Sequence, residues 1–244
     1  MDTGRDFRTK YLEVEAQLQA RAEADGDVFL PNPVPPGPVD YVFICMEPSL
    51  GRWARTAEDA DEKVQAGFRN FGSSVEDFIL HFSIIEYLCE PGQRYHITDV
   101  SKGAMLVERA RDERVARYDR WYSLLIEELR LVSKSGVGIF AVGNQVARFL
   151  ADRDFPWPFG RIMHYSGVAA KARNEGIVGH EDRFETFKQS VSMEDLLVVA
   201  ERVLRSAGIP DRFRSEAMAR LQRSELSESR KKLMFNYKLA FEEN

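Results

Sequence analysis

Cysteine is scarce in this chain: there are two in 244 residues, Cys45 and Cys89, each inside an apolar run. Both read as small buried thiols of a core. With four scattered histidines they form no ligand spacing, so no metal and no other cofactor is expected. Long apolar stretches are missing as well. None approaches the ~20 residues needed to cross a bilayer, so no membrane partner is expected. The opening residues lack the basic-then-apolar order of a secretion signal, and the expected compartment is the cytoplasm. No repeat of solenoid or propeller period is present. An excess of positive charge is also absent: 34 Lys and Arg against 39 Asp and Glu give a net charge of −5. That balance argues mildly against a dedicated nucleic-acid binder, although a local basic patch is compatible with it.

What is present is an ordinary globular composition, 44% hydrophobic and 30% charged, long enough for a sizeable core. The stretch Tyr41-Val-Phe-Ile-Cys-Met-Glu-Pro-Ser-Leu-Gly51 begins as a strand buried on both faces. It stops at Glu47-Pro48, because proline removes a backbone donor and biases the residue before it away from helix. Phe7 to Ala24 reads as an amphipathic helix, and Pro31 to Pro38 as a stiff extended lead-in. Ser74 and Asp77 mark the start of a helix running to about Leu88, which Glu90-Pro91-Gly92 ends. Tyr95 to Asp99 is a second strand, and a long helix covers about Glu113 to Ser133. Gly136 to Gly143 is a third strand, passing into a helix with Asn144 as expected N-cap. Arg161 to Tyr165 is a fourth. Ser192 to Ala207 and Asp211 to about Ala240 read as helices, the last rich in charge.

Strands alternating with helices predict an α/β fold: a three-layer α/β/α domain with a central four-stranded parallel sheet and extra N- and C-terminal helices. One domain, 1–244, is expected, with a core at about 39–207 and a helical extension at 211–244. Right-handed crossovers bring the carboxyl ends of the strands to one edge. That edge would present Glu47, then Thr98 and Asp99, then His164 and Ser166. A carboxylate facing a histidine is a usable pair for activating water and stabilising developing charge. Taken singly, His164 is by default a satisfied core histidine and Asp99 a turn former.

With this ordered set the chain resembles the uracil-DNA glycosylase superfamily, over roughly Val42 to Gly167. Cys45-Met-Glu-Pro-Ser49 stands where that family has Gly-x-(Asp or Asn)-Pro-x. His96-Ile-Thr-Asp-Val-Ser-Lys102 stands for its strand ending near Thr-Asn, Ala141-Val-Gly-Asn-Gln145 for Leu-Gly-x, and His164-Tyr-Ser166 for His-Pro-Ser. The resemblance implies base excision by flipping, in which the extruded base is stacked on an aromatic and read along its Watson–Crick edge. Carried over by position, Glu47 would orient water and His164 would support the leaving base. Phe71 would stack and Asp99 would read the base, with Met46 and Ser166 completing the base site. Ser49, Val168, Lys171 and Arg173 would meet DNA. The implied partner is DNA or a free nucleobase. A member of the same fold that binds without excising is the alternative.

Several positions depart from the family pattern. Cys45 replaces a glycine, Glu47 is longer than aspartate, and Tyr165 replaces a proline that would fix the histidine loop. Asp99 replaces an asparagine. An amide offers a donor and an acceptor to uracil, whereas an ionised carboxylate only accepts and suits an exocyclic amine such as cytosine N4. The expectation is therefore poor excision of plain uracil. The four cysteines of iron–sulfur branches are missing, and no cluster is expected. An unrelated α/β hydrolase is disfavoured by the lack of a Gly-x-Ser-x-Gly elbow.

Overall fold

The computed structural model describes residues 3–50, 53–54, 56–104, 114–165 and 170–243. Its centre is a parallel sheet of four strands. In chain order these are β2 (Val39–Cys45), β3 (Tyr95–Asp99), β5 (Ser133–Val142) and β6 (Gly160–Ile162). A separate antiparallel pair, β1 (Val28–Phe29) with β4 (Gly103–Ala104), has no counterpart in the sequence reading. Ten helices surround the sheet among the described residues: α1 (Thr3–Asp25), α2 (Ala57–Gln65), α3 (Val75–Tyr87), α4 (Arg114–Val132), α5 (Asn144–Ala151), α6 (Ala170–Glu175), α7 (Glu181–Ser190), α8 (Met193–Ser206), α9 (Asp211–Gln222) and α10 (Glu228–Glu242).

Successive residues of β2 point to opposite faces, and both faces are covered. Val42 and Ile44 join Tyr11, Tyr118, Leu129 and Phe149 in a core beneath α1, α4 and α5. Phe43 and Cys45 join Phe78, Ile79, Leu196 and Phe241 in a second core beneath α3, α8 and α10. Burial on both sides explains why the strand is a continuous apolar run rather than an alternating one.

The strand order is β3-β2-β5-β6. The chain leaves β2 toward α3 on one face and leaves β5 toward α5 on the other. Adjacent strands whose connections diverge in this way open a crevice at their carboxyl ends. By that rule the place for a ligand crevice in this sheet is between the ends of β2 and β5.

Helix α3 begins as its sequence signals predict. Ser74 Oγ accepts from Asp77 N at 3.0 Å, and Asp77 Oδ2 accepts from Ser74 N at 2.9 Å. At α5 the expectation is corrected: Gly143 is the N-cap, at φ +93°, without a side-chain cap. Asn144 is the first helical residue, and its Oδ1 accepts from Arg161 Nη1 at 2.9 Å. The fourth strand is shorter than expected and ends at Ile162, so His164 lies beyond it. The C-terminal segment is two helices rather than one, broken between Gln222 and Glu228. It is also part of the core: Phe241 of α10 packs edge-on against Phe43 and Phe140 of the sheet. No helix among the described residues is long and apolar enough to cross a membrane.

Candidate functional site

The carboxyl edge of the sheet gathers polar side chains that sequence distance keeps apart. Glu47 follows β2, and its side chain is 6% exposed. Arg114, at the start of α4, donates to Glu47 Oε1 twice, from Nε at 3.1 Å and from Nη2 at 2.7 Å. Its Nη1 donates to Gln145 Oε1 of α5 at 2.9 Å. Arg114 thus links the end of β2 to the start of α5. Tyr118, one helical turn on, donates its hydroxyl to Glu47 Oε2. Both oxygens of the carboxylate are held in place.

Asp99 ends β3 and pairs in register with Cys45. It is 2% exposed. Asn32 Nδ2 and Asn70 Nδ2 both donate to its Oδ2, at 3.0 and 2.9 Å. Burial pushes the Asp99 carboxyl up to about 6, while Lys102 and the two amides pull it down. At neutral pH it is mainly ionised and accepts hydrogen bonds only.

His164 follows β6. Burial above all, and then the charges of Arg114 and Arg173, hold its imidazole down to about 4. It is therefore neutral at physiological pH. Gly143 makes room for it: a Cβ there would stand 3.0 Å from His164 Cβ. Arg114 is the direct partner of Glu47, and its charge also acts on His164.

Phe71 is buried and, at φ +57°, stands in the left-handed region that bulky residues avoid. Its carbonyl accepts from His81 Nε2 at 2.9 Å, which fixes the tautomer: Nδ1 then accepts from the Tyr95 hydroxyl at 2.6 Å. Burial holds His81 down to about 4, in keeping with a neutral ring. The Phe71 ring meets Tyr165 edge-on, with centroids 6.4 Å apart, and Tyr165 in turn stacks on His164 at 4.6 Å. Tyr165, where a proline was the pattern, thus contacts both the expected stacking ring and the expected leaving-group histidine.

The remaining expected positions are dispersed. Met46 is half-buried beside the β2 end, and Ser49 is exposed, its carbonyl accepting from Trp53 Nε1 at 2.7 Å. Lys171 projects into solvent from α6 and lies 3.6 Å from Glu175. Arg173 is buried rather than displayed for a phosphate: it donates to the carbonyl of Tyr165 and to Ser229 Oγ at 3.1 Å. Ser166 and Val168 lie outside the described residues. Lys102 of the Thr-Asp-x-x-Lys stretch points inward. It binds Glu128 Oε2 at 2.8 Å in a buried network with Tyr11, His96 and Thr98. Among the described residues, no cluster of His, Cys, Asp or Glu is placed to hold a metal ion.

Sequence reasoning missed Arg114, Tyr118, Asn32 and Gln145. Arg114 and Tyr118 share one helix face, but nothing in the chain links that face to Glu47, 67 residues away. Asn32 sits between two prolines, where no periodicity exists to read. Compared with protein families, curated proteins and solved structures, the chain has no significant match.

Proposed function

We propose that this chain is a uracil-DNA glycosylase-like protein whose carboxyl-edge cleft takes an extruded base and cleaves its N-glycosidic bond, with base choice shifted away from plain uracil. The observation that carries the reading is Asp99, a buried carboxylate at the end of β3, fixed by Asn32 and Asn70 beside the switch point of a parallel sheet. A carboxylate held at such an edge, with one oxygen taken by two amides, is suited to reading a ligand with the other. Glu47, fixed by Arg114 and Tyr118, would steady positive charge developing on the sugar or orient water. His164, kept neutral by burial, would donate a hydrogen bond to the departing base rather than meet it with a full charge. The partner would be DNA, and Lys171 offers one exposed cation near the histidine loop.

Two observations favour a second reading, in which the fold binds a base or nucleotide without excision. Both Glu47 oxygens already have protein donors, and the Tyr165 ring touches both Phe71 and His164. The readings separate in an abasic-site assay over single-stranded and mismatched substrates carrying a panel of normal and modified bases. Excision of at least one base, lost in Glu47→Ala and His164→Ala, supports the enzyme. Binding without abasic product supports the second reading. Rapid release of plain uracil, abolished by Asp99→Ala, would refute the shifted base choice.

A further inference from the structure

Asn32 lies in the Pro-rich lead-in and is 1% exposed. Its Nδ2 donates to Asp99 Oδ2 at 3.0 Å. Because a carboxylate oxygen only accepts, this bond settles which branch of the amide is nitrogen. The other branch, Oδ1, is buried and has no hydrogen-bond partner. Amide geometry puts it roughly 2.3 Å from Nδ2, and so beside Asp99. The segment is pinned as well: Asn70 N donates to Pro31 O at 2.9 Å, and the flanking Pro31 and Pro33 have restricted φ. Asn32 cannot swing away to find another donor without breaking its bond to Asp99.

Buried polar atoms in folded proteins are usually paired, and the bare Asn32 Oδ1 stands out among those of this chain because it adjoins Asp99, the residue that the base-pocket reading sets against the base. Asp99 and Asn32 Oδ1 together offer that donor acceptors only. An exocyclic amine, with two hydrogens diverging from one nitrogen, complements two neighbouring acceptors. Uracil and thymine carry an oxygen at that place, which would face both acceptors unfavourably.

We infer that Asn32 is a specificity-determining residue, and that its Oδ1 and the Asp99 carboxylate together select a base bearing an exocyclic amine. The inference rests on the base-pocket reading above and adds a residue and a substrate class to it.

The test uses the full chain and thymidine oligonucleotides carrying a single cytosine, N4-methylcytosine, N4,N4-dimethylcytosine or uracil, with affinity read by fluorescence anisotropy. Losing one such hydrogen bond weakens binding roughly tenfold. Cytosine is expected to bind tightest, the monomethyl base more weakly, and the dimethyl base and uracil weakest. In Asn32→Ala the gap between cytosine and its monomethyl form should close. Uracil or the dimethyl base binding as tightly as cytosine overturns the inference while leaving a base pocket standing. An unchanged series in Asn32→Ala also overturns it. If no oligonucleotide is distinguished from plain oligothymidine, the base-pocket reading falls with it. The wild-type series decides the amine preference even if the variant fails to fold.

Discussion

Arg114 reaches Glu47 with two nitrogens on one oxygen, at 3.1 and 2.7 Å, and so joins the helix α4 to the carboxyl end of β2. The pair is largely withdrawn from water, with side chains 18% and 6% exposed. Removing one member of such a pair strands the other. Arg114→Ala should therefore lower stability by about 2–4 kcal/mol. Adding Glu47→Gln should recover at least ~1 kcal/mol of that, because the two sites are coupled. Urea denaturation of the four proteins of this cycle checks it; strictly additive losses would show that the contact carries no weight.

Phe71 offers a cleaner backbone test. Both Phe71→Ala and Phe71→Gly lose a buried ring, at a cost of roughly 3–5 kcal/mol. Only glycine relieves the positive φ, so the glycine variant should be more stable than the alanine variant by about 1 kcal/mol. Equal stabilities, or a more stable alanine variant, would mean that the left-handed conformation is not held in solution.

Acid should weaken the protein through its buried imidazoles. His81 and His164 are both held down to about 4, mainly by burial, against an ordinary value of 6.5. The unfolded chain therefore binds more protons, and stability is lost as pH falls from 6.5 toward 4. Asp99, raised to about 6, acts in the opposite sense: its native form takes up a proton first and offsets part of the loss below pH 6. Asp99→Asn should therefore make the decline between pH 6 and 4 steeper. Denaturant midpoints measured across this range would decide; a flat profile, or a shallower one in the variant, contradicts the assignment.

The C-terminal helix ties down the histidine loop. Tyr237 donates to Met163 O at 3.0 Å, and Ser229 holds Arg173, which donates to Tyr165 O. Tyr237→Phe should cost about 1 kcal/mol. Phe241→Ala, which empties a site against Phe43 and Phe140, should cost about 3–5 kcal/mol. Both should shift the His164 ring signals in an NMR spectrum. Signals that stay in place in both variants would detach the tail from the loop.

Much of the scaffold was legible because its signals are local. The run Val42 to Cys45 could be read as a doubly buried strand, and Ser74 with Asp77 as a helix start, since each depends on residues a few positions apart. Asn144 was misjudged because an N-cap is chosen by backbone geometry, and Gly143 reaches the φ that Asn144 does not need. In the tail, Arg230, Lys231 and Lys232 sit among the apolar residues and hide their pattern; only the sheet shows what Phe241 packs against. At the site, the ends of strands could be named from the chain, but their partners could not. Arg114 with Glu47 and Asn32 with Asp99 are each 67 residues apart, and no pattern in one dimension encodes such a meeting.

The central claim is that Glu47, Asp99 and His164 wall one pocket that takes a base. It is tested most directly by following the Asp99 carboxyl and His164 ring signals by NMR while a single-stranded oligonucleotide is added. One pocket predicts that both signals move along a single saturation curve, and that Asp99→Ala weakens the response at His164. An oligonucleotide that binds while both signals stay still, or moves them with different affinities, would contradict it.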